Sequence, residues 1–175
     1  MKTYALALAA ASLLLLPLPA AHAEGLDDAQ IAAIVVTANQ VDIDTAKLAM
    51  EVSTDPEVRK FALRMVTDHT AANTAAANLA QRLGVTPQAS PTSEGLAADG
   101  EKELARLRQL TGAAFDAAYV DREVAYHQQV IAALDGTLIP ATSNAELKAL
   151  LVKVRPNFDT HLEHAKHLQT ALGSR

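Results

Sequence analysis

The sequence predicts an all-α fold, an up-down four-helix bundle with a short extra helix that crosses between the second and third long helices. Hydrophobic residues make up 50% of the 175-residue chain but aromatic residues only 3%, so the core must consist mainly of Ala, Leu, Val and Ile. Glycine and proline are few, at 7 each, which favours helices. Four long segments also repeat apolar residues at intervals of three and four, the spacing of one helix face.

The first two long helices are predicted as antiparallel neighbours. Asp27 or Asp28 can cap the first helix, whose apolar stripe continues to Val52. Asp55 caps the second helix, with a proline at the first helical position, and Gly84 ends it. The link between the two helices is short, so they are expected to pack side by side.

A loop and a short helix separate the second and third long helices. Residues 85–95 carry prolines, serines and threonines without a period, so they are predicted as the longest loop. Residues 96–110 are predicted to form the short helix, which crosses the end of the bundle with its charges in solvent. The third long helix follows over residues 113–135 and is closed by Gly136.

The fourth long helix begins with a capping-box pattern. Ser143 accepts from the third helical N–H, and Glu146 reaches back to the cap. The helix continues to Leu172. Pro156 lies inside it and deprives a carbonyl one turn earlier of its partner, which predicts a kink shortly before His161.

The first 23 residues have the pattern of a secretory signal peptide. Lys2 gives a short positive start, residues 5–18 are apolar, and Ala21-His22-Ala23 matches the A-x-A cleavage pattern. The apolar run is shorter than the ~20 residues that a membrane-spanning helix needs. We therefore expect cleavage after Ala23, export to the periplasm without stable membrane insertion, and one helical domain over residues 24–175.

Charge and composition narrow the function classes. Acidic residues outnumber basic ones by 20 to 15, for a formal net charge of −5, which argues against nucleic acid or an anionic membrane surface as a partner. The chain has no cysteine, which excludes a disulfide framework. It also lacks a G-x-S-x-G turn and a Gly-rich phosphate loop, so a non-enzymatic role is favoured. The sequence identifies no protein partner.

Three histidines interrupt the apolar stripes of three different helices. His69 lies on the second long helix, His127 on the third and His161 on the fourth. One core imidazole would mean little, but three that converge on a common interior predict a polar site inside the bundle. We interpret it as a metal site.

Carboxylates on the first and third helices are the candidate oxygen ligands of this site. They are Asp42, Asp116 and Glu123. Glu123 lies one turn before His127 on the same helix face, so the two could bind one ion together. Imidazole and carboxylate ligands suit zinc, copper or iron.

A structural role for the histidines is the alternative. Each imidazole could donate to a carboxylate or carbonyl of a neighbouring helix and fix the helix register. The protein would then be a structural, stress-protective or protein-binding module without metal. His164 and His167 follow His161 at intervals of three, and we expect them at the surface near the helix C-terminus, where positive charge is favoured.

The rotation of the third long helix stays open at this stage. One face carries Glu123 and His127, and the alternative face carries Tyr119, Arg122 and Tyr126. Both faces are partly apolar, which predicts burial over a broad arc.

A series of short segments is spread along the mature chain: Asp42-Ile43-Asp44, Lys47-Leu48-Ala49, Met65-Val66-Thr67-Asp68-His69, Phe115-Asp116, Tyr119-Val120, His127, Pro156, His161-Leu162 and Ala165. In this order they resemble an exported, ferritin-like bacterial family catalogued as domain of unknown function 4142. The resemblance covers nearly the whole mature chain and implies a ferritin-like four-helix fold in the cell envelope, without an established activity. Ferritin-like di-iron sites need E-x-x-H pairs, and no Glu lies three residues before any of the three histidines, so a di-iron site is not expected.

Overall fold

Six helices and one π-helical turn make up most of residues 25–174, the part of the chain that the computed structural model describes. They are α1 (Asp28–Val52), α2 (Pro56–Leu83), α3 (Pro91–Leu107), α4 (Gly112–Ala133), the π-helical turn Leu134–Leu138, α5 (Ile139–Ala141) and α6 (Ala145–Gly173). Residues 25–174 contain no β-strand, in agreement with the predicted all-α class. The signal peptide predicted for residues 1–23 lies outside the described residues.

Helices α1 and α2 begin and end where the sequence predicts. The side chain of Asp27 accepts from the backbone N–H of Gln30, whose side chain accepts from the backbone N–H of Asp27. Asp55 accepts from two N–H groups in the first turn of α2. Gly84 ends α2 at a φ of 64°, a left-handed conformation that glycine adopts without steric cost.

The loop after α2 is shorter than predicted, because α3 begins at Pro91 and not at residue 96. Ser90 caps this helix: its side chain accepts from the N–H of Ser93, and the hydroxyl of Ser93 accepts from the N–H of Ser90. This is a capping box in which serine replaces the usual Glu or Gln. A segment rich in serine and proline, which suggested a loop, is therefore a helix start.

Helix α3 packs against the middle of α1 and does not cross the end of the molecule. A Cβ atom on Gly100 would lie 2.7 Å from Cγ2 of Val41, so only glycine fits here without a shift of its neighbour. Leu104 and Leu107 of α3 are buried in the core. The predicted crossing is wrong because glycine lets the two helix backbones approach side by side.

The helical backbone after α4 continues past Gly136, where the sequence predicted its end. It passes through the π-helical turn and α5 to Ala141. The side chains of Leu134 and Leu138 are buried at the two ends of the turn, so their packing holds the chain helical across the glycine.

Helix α6 is capped by Asn144 and not by Ser143. The Asn144 side chain accepts from two N–H groups of the first turn. The backbone N–H groups of Ser143 and Asn144 donate to the carboxylate of Asp28, each at 2.9 Å, which joins the start of α6 to the start of α1. Pro156 lies inside α6, as predicted.

Two apolar clusters fill the interior, one toward each end. The first cluster includes Phe61, Met65, Phe115, Tyr119 and Leu168. The second includes Ile31, Leu79, Leu134, Leu151 and Phe158. Helices α1, α2, α4 and α6 each run from one cluster to the other, and the direction of α1 and α6 is opposite to that of α2 and α4. The predicted up-down order of the four long helices is therefore wrong, because α3 returns the chain along the bundle and leaves α2 and α4 parallel. Between the clusters, all four helices carry buried polar side chains.

Candidate metal centre

Six titratable or charged side chains meet between the two apolar clusters, and we call this set the polar layer. Its members are Asp42 of α1, His69 of α2, Arg122, Glu123 and His127 of α4, and His161 of α6. Each of the four long helices contributes, because each has a polar residue where its apolar stripe would otherwise continue. The site is therefore built from four rigid helices and no loop.

The structure brings the three predicted histidines together. The ring centroids of His69 and His161 are 5.2 Å apart, those of His127 and His161 5.4 Å, and those of His69 and His127 5.8 Å. One nitrogen of each ring lies within 4.8 Å of a nitrogen of each other ring. Three imidazoles at these separations could bind the same ion.

Two of the three predicted carboxylates join the histidines. Asp42, Glu123 and His127 form a second group, again with one ligand atom each within 4.8 Å of the others. Asp116 belongs to neither group. It is buried on α4, two turns before Glu123, which corresponds to about 10 Å along the helix axis.

Each imidazole of the polar layer donates one N–H away from the centre. Nδ1 of His69 donates to Oδ1 of Asn39 at 2.9 Å, and Nδ1 of His127 donates to the backbone carbonyl of Glu123 at 3.0 Å. Nε2 of His161 donates to Oδ2 of Asp68 at 2.8 Å. For His127 and His161 we assign the proton to this nitrogen because the partner atom acts as an acceptor, so the other nitrogen of each of these two rings carries a lone pair. Nε2 of His69 instead lies 2.8 Å from Oδ2 of Asp42.

Five atoms of the polar layer are buried without a hydrogen-bond partner. They are Oδ2 of Asp42, Nε2 of His69, Oε2 of Glu123, Nε2 of His127 and Nδ1 of His161. Buried polar atoms are nearly always paired, and one left unpaired costs roughly 1–3 kcal/mol. A cation at the centre would give these nitrogen and oxygen atoms a common partner.

Arg122 divides the oxygens of the two carboxylates. Its Nη1 donates to Oδ1 of Asp42 and to Oε1 of Glu123, both at 2.6 Å, and does not contact the second oxygen of either carboxylate. The guanidinium lies 4.1 Å from the ring centroid of Tyr126, whose hydroxyl donates to the carbonyl of Ala38. The arginine is thus held in place by contacts with two helices.

The two carboxylates are in opposite protonation states. Burial raises the pKa of Asp42, but the charge and hydrogen bond of His69, together with the charge of Arg122, outweigh it and hold this pKa well below its usual value. Burial and the negative charge of Asp42 raise the pKa of Glu123 well above its usual value. Two adjacent buried carboxyl groups cannot both ionise at low cost, so Asp42 is ionised and Glu123 retains its proton.

Two of the imidazoles are held neutral. Burial lowers the pKa of His127 and lowers that of His161 to about 4. Near neutral pH both rings are therefore uncharged, which is the state in which imidazole binds a metal ion.

Residues 16–168 match the family model described as a domain of unknown function (DUF4142). The chain belongs to this family. The match confirms the resemblance identified from the sequence segments. No curated protein matches the DUF4142 chain.

Two solved structures share the helical fold of the DUF4142 protein. One is a DUF305 protein from Streptomyces coelicolor, described as secreted, with 14% identity, a TM-score of 0.71, and coverage of 83% of this chain and 93% of its own. The other is CopM in its Cu(II)-bound form, with 16% identity, a TM-score of 0.65, and coverage of 84% and 98%. At these identities the likeness shows the fold alone. Within residues 25–174, no helix is long and apolar enough to cross a membrane.

Sequence reasoning missed two residues of the DUF4142 site, Arg122 and Asp68. Arg122 lies on the face of α4 that also carries Tyr119 and Tyr126. Side chains are buried both on this face and on the face of Glu123 and His127. Asp68 diverges by about 100° from the adjacent His69 and reaches His161 on α6 instead. Arg64 also donates to this carboxylate, at 3.3 Å. For Arg122 the sequence offered one signal, an Arg-Glu pair one turn before the buried His127. For Asp68 it offered none, because its contact with His161 joins residues far apart in sequence.

The two remaining histidines of residues 25–174 lie outside the polar layer. His167 is exposed, as expected. His164 is partly buried, with its ring edge-on to Phe61 at a centroid distance of 5.0 Å. Burial lowers the pKa of His164.

Proposed function

We propose that this DUF4142 protein is an exported, ferritin-like four-helix bundle that holds one transition-metal ion in its polar layer. His69, His127 and His161 would supply nitrogen ligands, with Asp42 or Glu123 as an oxygen ligand. The supporting observation is the convergence of five buried nitrogen and oxygen atoms, all of types that bind metal ions, from four helices. The role is to bind and hold the ion, and no catalytic reaction is proposed.

The contact between Asp42 and His69 fits both a structural pair and a metal site. Oδ2 of Asp42 and Nε2 of His69 are 2.8 Å apart, which is the spacing of an ion pair between a protonated imidazole and a carboxylate. Metal–ligand bonds of about 2.0–2.1 Å at right angles place two ligand atoms about 2.9 Å apart, so the same pair could also bind one ion as adjacent ligands after His69 loses its proton.

The donor set favours copper, with zinc as second choice. Imidazole-rich sites bind the late divalent metals most tightly, and copper(II) ranks above zinc in this order. Arg122 already offsets part of the carboxylate charge, which weakens the site for calcium or magnesium, since these ions depend on several oxygen ligands. The Cu(II)-bound form of CopM has a similar fold and supports the same choice.

Export is part of the proposal and rests on two observations. Residues 1–23 have the pattern of a signal peptide with cleavage after Ala23. A structural neighbour, the DUF305 protein, is described as secreted. The expected compartment is the periplasm.

Elemental analysis of the mature, tag-free protein tests the metal site. The protein is purified without chelator, and the metal-free form is then titrated with copper(II) and with zinc(II). We expect about one equivalent of bound metal, retained in His167→Ala, whose histidine is exposed, and lost when His69, His127 and His161 are all replaced by alanine. Circular dichroism shows whether the triple variant folds. If it does not, His161→Gln takes its place as a milder change and should weaken metal binding. Folded wild-type protein that binds neither metal would rule out the site.

The alternative function, a structural or protein-binding module without metal, has one specific observation in its favour. Arg122 links α1 to α4 through Asp42, and Asp68 links α2 to α6 through His161. These pairs fix helix register without an ion. In that case the same titrations would show no binding, and the His69→Ala variant would fold normally with a modest loss of stability.

A further inference from the structure

A cavity of about 40 Å³ lies in the second apolar cluster, directly beside the polar layer. Helices α1, α2, α4 and α6 and the π-helical turn all contribute to its wall. Ala72 and Ala76 form the α2 side, Leu134 and Leu151 lie opposite, and Asn39 and Phe158 form the side toward the polar layer.

The chemistry of the wall favours an apolar occupant over water. Asn39 is the one polar side chain among the described residues that line the cavity. Its amide is already engaged, since its oxygen accepts from His69 and its nitrogen donates to Asn73. A buried water needs roughly 2–4 polar partners, and a cavity of only about 10–15 Å³ is enough to hold it. This cavity offers more room than one water needs and almost no hydrogen bonds.

The cavity and the three histidines share a wall. The ring centroid of Phe158 is 5.5 Å from that of His69, 6.0 Å from that of His127 and 6.4 Å from that of His161. A molecule in the cavity is thus separated from the nitrogen ligands by one aromatic ring and by the amide of Asn39.

We propose that this cavity binds a small apolar diatomic gas, of the class of dioxygen, nitric oxide and carbon monoxide, and holds it beside the metal ion. The size, the apolar wall and the position next to the histidines carry this inference. Its first half, gas binding in the cavity, is independent of any metal. Its second half, supply of the gas to the ion, rests on the proposed function.

Dioxygen binding to the metal-free protein tests the first half. Dissolved dioxygen is paramagnetic, so under raised oxygen pressure the methyl groups of Leu134 and Leu151 should relax faster in NMR than that of Met65, which is buried in the first cluster. Ala76→Met fills the cavity and should abolish the faster relaxation of Leu134 and Leu151. Ala77→Met makes the same change at the next residue, which is exposed, and should leave that faster relaxation in place. Equal relaxation of the methyl groups of these three residues in the wild type, or faster relaxation of Leu134 and Leu151 that survives in Ala76→Met, overturns the proposal.

Carbon monoxide binding to the copper(I)-loaded protein tests the second half. We expect slower association in Ala76→Met than in the wild type and in Ala77→Met, at equal copper content. Equal association rates at equal copper content would overturn the supply of gas to the ion. If the wild type binds no copper, the proposed function fails, while the dioxygen result on the metal-free protein stands.

Discussion

Arg122 and Arg155 each contact two carboxylates, and the two clusters differ mainly in burial. Arg155 donates from two nitrogens to both oxygens of Asp135 and also pairs with Asp159; its side chain is 21% exposed, and the carboxylates are 51% and 57% exposed. Arg122 is 8% exposed, its partners are fully buried, and a single nitrogen contacts one oxygen of each. Solvent reaches the carboxylates of the surface cluster, whereas in the interior cluster the second oxygen of Asp42 faces only Nε2 of His69 and the second oxygen of Glu123 has no hydrogen bond.

The difference indicates what each cluster is for. A buried ion pair is weak evidence for stability, since apolar residues of similar volume often serve as well. Apolar side chains in place of Arg122, the two carboxylates and the three histidines would therefore be expected to stabilise the core at least as well. The free atoms of the polar layer make functional sense if a ligand binds them, and this is the basis of the proposed metal site.

Removal of Arg122 should have the largest effect on stability. Arg122→Met leaves the ionised Asp42 buried without its main cationic neighbour on α4, so we expect the metal-free protein to lose about 3–5 kcal/mol of unfolding free energy. Urea denaturation of the metal-free form measures this loss.

The same variant also tests the polar layer as a cation site. With Arg122 gone, the oxygens that it bound in Asp42 and Glu123 are open, so added copper(II) should recover part of the lost stability. Stability equal to the wild type in the metal-free state would show that Asp42 does not need the arginine charge.

The pH dependence of the metal-free protein should reveal the neutral histidines. The folded pKa of His161, about 4, lies below the usual value of 6.5, so the unfolded chain binds more protons between these two values. The contribution of the neutral His161 to the unfolding free energy is therefore present above pH 6.5 and is lost as the pH drops toward 4. The loss from this residue is about 2 kcal/mol between pH 7 and pH 5. Denaturation curves at a series of pH values measure the slope, and His161→Gln should flatten it. An unchanged slope in that variant would assign the titration to another group.

Asp68 should control metal affinity more than stability. Its carboxylate orients His161 and fixes the proton on Nε2, so Asp68→Asn should weaken copper binding by at least about tenfold, as outer carboxylates of metal-bound histidines do. Competition titration with a chelator of known affinity measures the change. Arg64→Gln, which removes the second partner of Asp68, is the matched control and should have a smaller effect. Equal affinity in Asp68→Asn and the wild type would mean that His161 needs no orienting partner.

The sequence predicts the frame of this molecule better than its contacts across the interior. Helix caps such as Asp55 and Gly84 depend only on residues next to them in the chain, so the sequence predicts them directly. The convergence of His69, His127 and His161 also follows, because a residue on an apolar stripe must face the interior. Arg122 could not be placed, since a charged residue on a second, mixed face of α4 is usually solvated and periodicity does not show which of two faces is buried.

The predicted start of α3 was wrong for a different reason. A pair of serines can cap a helix as Ser90 and Ser93 do, but the same residues are common in loops, and only the finished hydrogen bonds distinguish the two cases. Its position against α1 depends on the fit between Gly100 and Val41, a contact between distant parts of the chain.

Removal of the surface arginine should have the smallest effect and completes the comparison with Arg122. Arg155→Met removes the contacts with Asp135 and Asp159, but both carboxylates remain solvated, and exposed pairs contribute little. We therefore expect a urea midpoint close to that of the wild type, no change in copper content, and an even smaller difference at high salt, which screens exposed charges. A loss comparable to that of Arg122→Met would show that burial is not what separates the two clusters, and the argument that the polar layer is retained for a ligand would lose its basis.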